Sequence, residues 1–147
     1  MRISSRGEYG VRALFDLAMH YGQGPRPLKL IAEQQDISEH YLEQLMAVLR
    51  KSGLVTSVRG AMGGYELALP PERVRIGDVI RVLEGPVTTA SQGESPQIND
   101  IYRMTLEATW KRIADGINEV LDSITLADLL QEAERLRADG GSLMWHI

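Results

Sequence analysis

The chain has 147 residues and no cysteine. That absence excludes a disulfide framework, a thiolate-held metal, an iron–sulfur cluster and a cysteine nucleophile. It suits a cytoplasmic protein, because disulfides belong to oxidising compartments. No run of about eighteen apolar residues is present, so no membrane-spanning helix is expected. The opening MRISSRGEYG carries charge but no apolar stretch behind it, unlike a signal peptide. Internal repeats and low-complexity tracts are lacking, as are Gly-x-Ser-x-Gly, P-loop and paired His–acid motifs. The three histidines, His20, His40 and His146, are scattered and make a poor metal set. Glu8 and Asp16 read as ordinary helical surface carboxylates. The expectation is a chain without enzymatic activity, metal or cofactor.

A basic excess is lacking too. Sixteen Lys and Arg stand against twenty Asp and Glu, a formal net charge of −4, which by itself argues against a polyanionic partner. The distribution reverses that argument. Residues 1–85 hold 11 basic and 10 acidic side chains, whereas residues 86–147 hold 5 and 10. Binding to a polyanion depends on local charge, so a nearly neutral first part can still meet nucleic acid. Composition changes at the same place: Pro86–Asp100 (PVTTASQGESPQIND) is polar, contains Gly and Pro, and lacks helical periodicity. It reads as a linker of about fifteen residues. Three parts follow: a domain over 1–85, a linker over 86–100, and a helical arm over 101–147.

In the first domain, Ser5-Arg6-Gly7-Glu8 has the Ser-x-x-Glu form of a capping box. Tyr9, Ala13, Leu14, Leu17, Ala18 and Tyr21 then recur at helical spacing, and Gly22-Gln23-Gly24-Pro25 ends the helix. A second helix is expected over Leu28–Gln35, with Leu28, Ile31 and Ala32 inward, followed by a tight Gln35-Asp36-Ile37 connection. Ser38 caps a third helix to about Ser52, with Tyr41, Leu42, Leu45, Val48 and Leu49 inward and Gly53 terminating it. Three short helices with a brief turn before the last form the helix-turn-helix pattern.

The next residues make that pattern specific. Leu54–Val58 is β-branched, Tyr65–Leu69 alternates, and Arg59-Gly60-Ala61-Met62-Gly63-Gly64 between them reads as a hairpin tip. A hairpin directly after a candidate recognition helix is a wing. The helix enters the major groove, while a glycine-rich tip approaches the backbone and can place an Arg in the minor groove. The fold class is therefore mainly α with a small β-hairpin: a winged helix-turn-helix with a long C-terminal helix. On the third helix Ser38, Glu39, His40, Glu43 and Gln44 form the polar side. Gln44 can pair bidentately with adenine, and Glu43 can accept a hydrogen bond from cytosine. From the residues alone Arg59 is either a solvated loop arginine or a DNA contact. Arg50 and Lys51 are either phosphate contacts or basic residues favoured by the helix dipole.

Ile37–Leu45 (ISEHYLEQL), Leu49–Val55 (LRKSGLV), Val58–Gly60 (VRG) and Gly63–Tyr65 (GGY) resemble the IscR/NsrR/CymR family of bacterial transcription regulators. Gly77–Pro86 (GDVIRVLEGP) continues the likeness as the short helix after the wing, so the resemblance covers nearly all of the first 86 residues. It implies that Ser38, His40, Glu43 and Gln44 read bases. It further implies that Arg59, Gly60, Gly63 and Gly64 form a DNA-touching tip; in the preferred reading Arg50 and Lys51 support backbone contact beside it.

In the arm, Ile101–Leu121 reads as a long helix with an apolar stripe through Ile101, Met104, Leu106, Ala108, Ile113, Ile117, Val120 and Leu121, beside Trp110. So apolar a helix needs to pack on the first domain, on a partner subunit, or on both. Thr125-Leu126-Ala127-Asp128 starts another helix to about Arg137, Asp139-Gly140-Gly141 ends it, and Ser142–Ile147 is an apolar tail. The resemblance makes the long helix a dimerisation element that presents two recognition helices to a palindromic operator in double-stranded DNA.

Many members of that family hold an iron–sulfur cluster on three linker cysteines. Here the loop has Ser91 and Ser95, whose hydroxyls cannot replace soft ligands. That leaves the cluster-free members, of which the chain most resembles the cysteine-metabolism branch, or an engineered Cys-to-Ser chain. Val120–Leu129 (VLDSITLADL) is similar to that branch, whose members act with O-acetylserine sulfhydrylase, an enzyme class that accepts a C-terminal Ile peptide. Trp145, His146 and Ile147 fit such docking, and folding onto the chain's own dimer is the alternative. The reading implied is a dimeric repressor of cysteine and sulfur genes. Its rivals are a ligand-sensing regulator of another pathway and a winged interaction module without DNA binding.

Overall fold

Helix α1 (Ser5–Met19) starts from Ser4, one residue before the expected cap. Ser4 is extended and its side chain does not cap its own helix. Instead its amide donates to the Glu84 carboxylate at 2.8 Å, its hydroxyl bonds the same oxygen, and the Gly7 amide donates there at 3.2 Å. A carboxylate eighty residues away thus serves the free amides at the positive end of α1, which corrects the local Ser5–Glu8 box. The computed structural model describes residues 4–87 and 99–144, of which 141–144 as backbone only.

Helices α2 (Leu28–Gln35) and α3 (Glu39–Lys51) follow as expected. The turn between them needs Asp36 in the left-handed region, at φ 52° and ψ 52°, a conformation that Asp tolerates better than most residues. The Ser38 hydroxyl accepts the Tyr41 amide at 3.1 Å and caps α3. Leu42, Leu45, Met46 and Leu49 are fully buried, while Tyr41 and Val48 are half-buried at the margin. They close over Ala13, Leu14 and Leu17 of α1 and Ile31 of α2 in one core.

Strands β1 (Val55–Val58) and β2 (Gly64–Leu67) pair antiparallel, with Val55 opposite Leu67 and Val58 opposite Gly64. A 3₁₀ turn (Pro71–Arg73) leads into α4 (Ile76–Glu84), which packs on α1 and α3. Helix α5 (Asp100–Ser123) is capped by Asn99, so Asp100 belongs to the helix and not to the linker. At 24 residues it is about 36 Å long. It meets the first domain only near its C-terminal end, where Leu121 is its one buried residue. There Arg81 of α4 reaches Asp122 at 2.5 Å and Asn118 at 3.4 Å.

Helix α6 (Leu126–Met144) turns back onto α1 through Leu126, Leu129 and Leu130. Thr125 and Asp128 form a reciprocal capping box, with bonds of 2.9 and 3.2 Å. The expected stop at Asp139-Gly140-Gly141 is corrected: the helix continues through both glycines to Met144. Glycine within a helix costs only about 0.5–1 kcal/mol against Ala, so it weakens a helix without ending it. Most of the linker, residues 88–98, and the tail residues Trp145, His146 and Ile147 lie outside the described residues.

Candidate DNA interface

The amphipathicity of α3 decides what it can touch. With its apolar residues sunk in the core, Ser38, Glu39, His40, Glu43 and Gln44 are all exposed, as are Arg50 and Lys51 at the other end. His40 and Gln44, one turn apart, are joined by a 3.3 Å contact between ring nitrogen and amide nitrogen. This contact aligns two groups that can each donate or accept toward a base edge. Glu43 stands between them in sequence as an acceptor only. The Ser38 oxygen is engaged in the cap, which leaves its hydroxyl proton free to donate outward. Arg50 reaches across to the Ser57 hydroxyl at 3.4 Å and links the end of α3 to the first wing strand.

The wing tip runs from Arg59 to Gly63. Arg59, Gly60, Ala61 and Met62 are exposed, and Met62 retains 89 % of its surface. Gly63 and Gly64 have a different duty from Gly60. A Cβ on Gly63 would lie 2.1 Å from the Val58 carbonyl oxygen, inside the hairpin's own closure. One on Gly64 would lie 2.2 Å from the Arg26 carbonyl oxygen. The resemblance had grouped all three with the DNA-touching tip; the structure gives the last two a packing reason for being glycine.

Sequence reasoning missed the support beneath these two arms. Asp16, expected as a surface carboxylate, is 2 % exposed and is the one charged residue of the core among the described residues. Arg26 donates to its Oδ1 at 2.8 Å, and Gln35 donates to its Oδ2 at 3.2 Å. His20 stands 3.7 Å from the same carboxylate, its ring held by the Asp16 carbonyl. The available signal was position: Asp16 follows Ala13 by three residues and precedes His20 by four, on the inward face of α1.

A capped recognition helix with a bare polar face, followed by a two-stranded wing tipped with Arg59, defines a winged helix-turn-helix DNA-binding protein. The comparisons narrow the class. The family model Rrf2, described as an iron-dependent transcriptional regulator, matches residues 3–132. The HTH-type transcriptional regulator CymR of Bacillus subtilis is 47 % identical over 131 residues, spanning 88 % of this chain and 89 % of that one. The structure of CymR (YrzC), the global cysteine regulator of B. subtilis, superposes with a TM-score of 0.77 at 45 % identity, covering 90 % of this chain and 98 % of that chain. The structure of T. potens IscR gives 0.76 at 51 % identity, covering 92 % and 90 %. This chain belongs to the Rrf2 family, a family of transcriptional regulators and not of enzymes.

The family description names iron, and the donor set here does not fit an iron–sulfur cluster. The chain has no cysteine, and serine hydroxyls are poor ligands for such a centre. Among the described residues no three His, Cys, Asp or Glu side chains gather as a metal site. Nor is any described helix long and apolar enough to cross a membrane.

Proposed function

We propose that the chain is a homodimeric repressor of cysteine and sulfur metabolism genes that reads a palindromic operator. In this reading Ser38, His40, Glu43 and Gln44 contact major-groove base edges, and Arg59 with Gly60 and the rest of the tip meets the minor groove or its phosphates. Arg50 and Lys51 add backbone contacts. The observation that carries the reading is the exposed His40–Gln44 pair on a helix whose opposite face is sunk in the core through Leu42, Leu45, Met46 and Leu49, with the Arg59 wing attached through Arg50 and Ser57.

Dimerisation is supported by α5. Ile101, Tyr102 and Met104 are 61–67 % exposed and Val120 is 59 % exposed. Ile113, Gly116, Ile117, Val120 and Leu121 line an apolar groove toward the helix's C-terminal end. A contiguous apolar face of this kind is a protein-contact surface, and the same face on a second copy is its natural cover in a two-fold dimer. The pathway rests on likeness to a named cysteine regulator and on the lack of cluster ligands. The proposed second partner is O-acetylserine sulfhydrylase, docked by Trp145, His146 and Ile147. A genome-wide binding profile, taken with that enzyme present and absent, tests both parts. Enrichment of sulfur-metabolism promoters that shifts with the enzyme is expected. A bound set without such promoters overturns the pathway, and an unchanged profile overturns the partner.

A further inference from the structure

We infer that Asp16 is a positioning residue for DNA binding, holding the recognition helix and the wing at one fixed separation; the inference rests on the assignment of α3 and the wing tip as the two DNA-contacting arms. A winged protein touches two grooves at once, so the offset between its arms matters as much as the chemistry of each. Asp16 touches both supports. Its Oδ2 accepts from Gln35, the last residue of α2, one step before the left-handed Asp36 that aims α3. Its Oδ1 accepts from Arg26, whose main chain forms a two-way bridge with Tyr65 at the tip-side end of β2, both bonds 2.9 Å. Neither Arg26 nor Gln35 is among the exposed groups proposed to meet DNA. The Gln35 carbonyl is in turn held by Arg12, which lies 5.1 Å over the Tyr9 ring.

A buried carboxylate is a poor choice for stability alone, since well-packed apolar replacements are often as stable as an ion pair. What it adds is direction: a carboxylate with one donor on each oxygen fixes two segments relative to itself, which an apolar contact does not. Asp16→Asn and Arg26→Gln each weaken one side of this clamp while leaving the exposed face of α3 and Arg59 in place.

The experiment uses the full chain and a duplex selected by it from a random pool. Binding is read by fluorescence anisotropy, guanine N7 methylation reports the major groove, and hydroxyl-radical cleavage reports the minor groove. Failure of the unaltered chain to select a duplex, or an unchanged affinity for Arg59→Ala, sinks the interface assignment itself. With that assignment standing, Asp16→Asn is expected to melt cooperatively and bind about tenfold more weakly, which equals about 1.4 kcal/mol. It should keep N7 protection and lose minor-groove protection. In the Arg59→Ala background the same change should cost less than about threefold, because contacts that act together are not additive. Arg26→Gln should repeat the pattern. Full additivity, equal loss of both protections, or unaltered affinity in a folded variant overturns the inference. So does unfolding of both variants, which would make the pair an element of stability.

Discussion

Gly64 of the wing faces the carbonyl oxygen of Arg26 so closely that an added Cβ would stand 2.2 Å from it, at a φ of +151° that side chains rarely adopt. Arg26 and Tyr65 exchange hydrogen bonds beside this contact. Main-chain contact therefore brings the wing against the α1–α2 connection at a distance only glycine permits.

Gly64→Ala should accordingly lift the wing from its seat. We expect a lower melting temperature, with backbone strain of roughly 1–3 kcal/mol, and a loss of DNA affinity beyond what stability explains. Gly53→Ala is the control, since its φ is +85° but nothing lies within 4 Å; it should cost less in both. Thermal denaturation and duplex titration of the two variants give the comparison, and equal effects would remove the docking account.

Arg59 sits on the exposed tip of the wing. If it neutralises one phosphate in each protomer of the dimer, Arg59→Ala weakens binding and lowers the slope of log affinity against log salt by about 1.8. Titration across a salt series measures both. A loss of affinity at unchanged slope would assign Arg59 to a base edge and not to the backbone.

The apolar face of α5 should be covered in solution. Ile113 is 43 % exposed and lines the groove with Gly116 and Val120. Ile113→Asp places an unpaired charge in the proposed seam, a change that commonly costs several kcal/mol when the charge is buried. Sedimentation should find a dimer for the unaltered chain and a monomer for the variant. A variant that stays dimeric would move the interface elsewhere.

Gly140 lies inside α6 with nothing within 4 Å of where a Cβ would stand. Because its backbone is helical, Gly140→Ala should stabilise the chain by about 0.4–1 kcal/mol. Chemical denaturation will detect that gain. Destabilisation would instead restore the C-terminal stop that the sequence suggests at this position.

Much of the interface was legible in the sequence, and for a local reason. The period of Leu42, Leu45 and Leu49 assigns α3 one buried face, and this leaves His40, Glu43 and Gln44 on the other whatever the rest of the chain does. Ser38 caps that helix with its own hydroxyl three residues away. The two strand patterns around a glycine-rich tip mark the wing, with boundaries shifted by one or two residues. Helix α5 was likewise visible as an apolar stripe. What covers it was not, because periodicity says that a face is buried without saying against what.

The remaining features depend on partners distant along the chain. Ser5–Glu8 has every mark of a local cap, yet Glu84 takes that position because α4 packs on α1 and brings a carboxylate to the helix start. Asp16 has the composition of a surface residue and becomes buried because Arg26 and Gln35, ten and nineteen positions away, satisfy both of its oxygens. Local pattern by itself determined which faces exist: the buried and bare sides of α3, the wing, the stripe on α5, and the lack of any thiolate. Only the tertiary structure decided how those faces are held together, since the energy of a buried charge or a helix end is set by donors and acceptors that chain packing alone brings within reach.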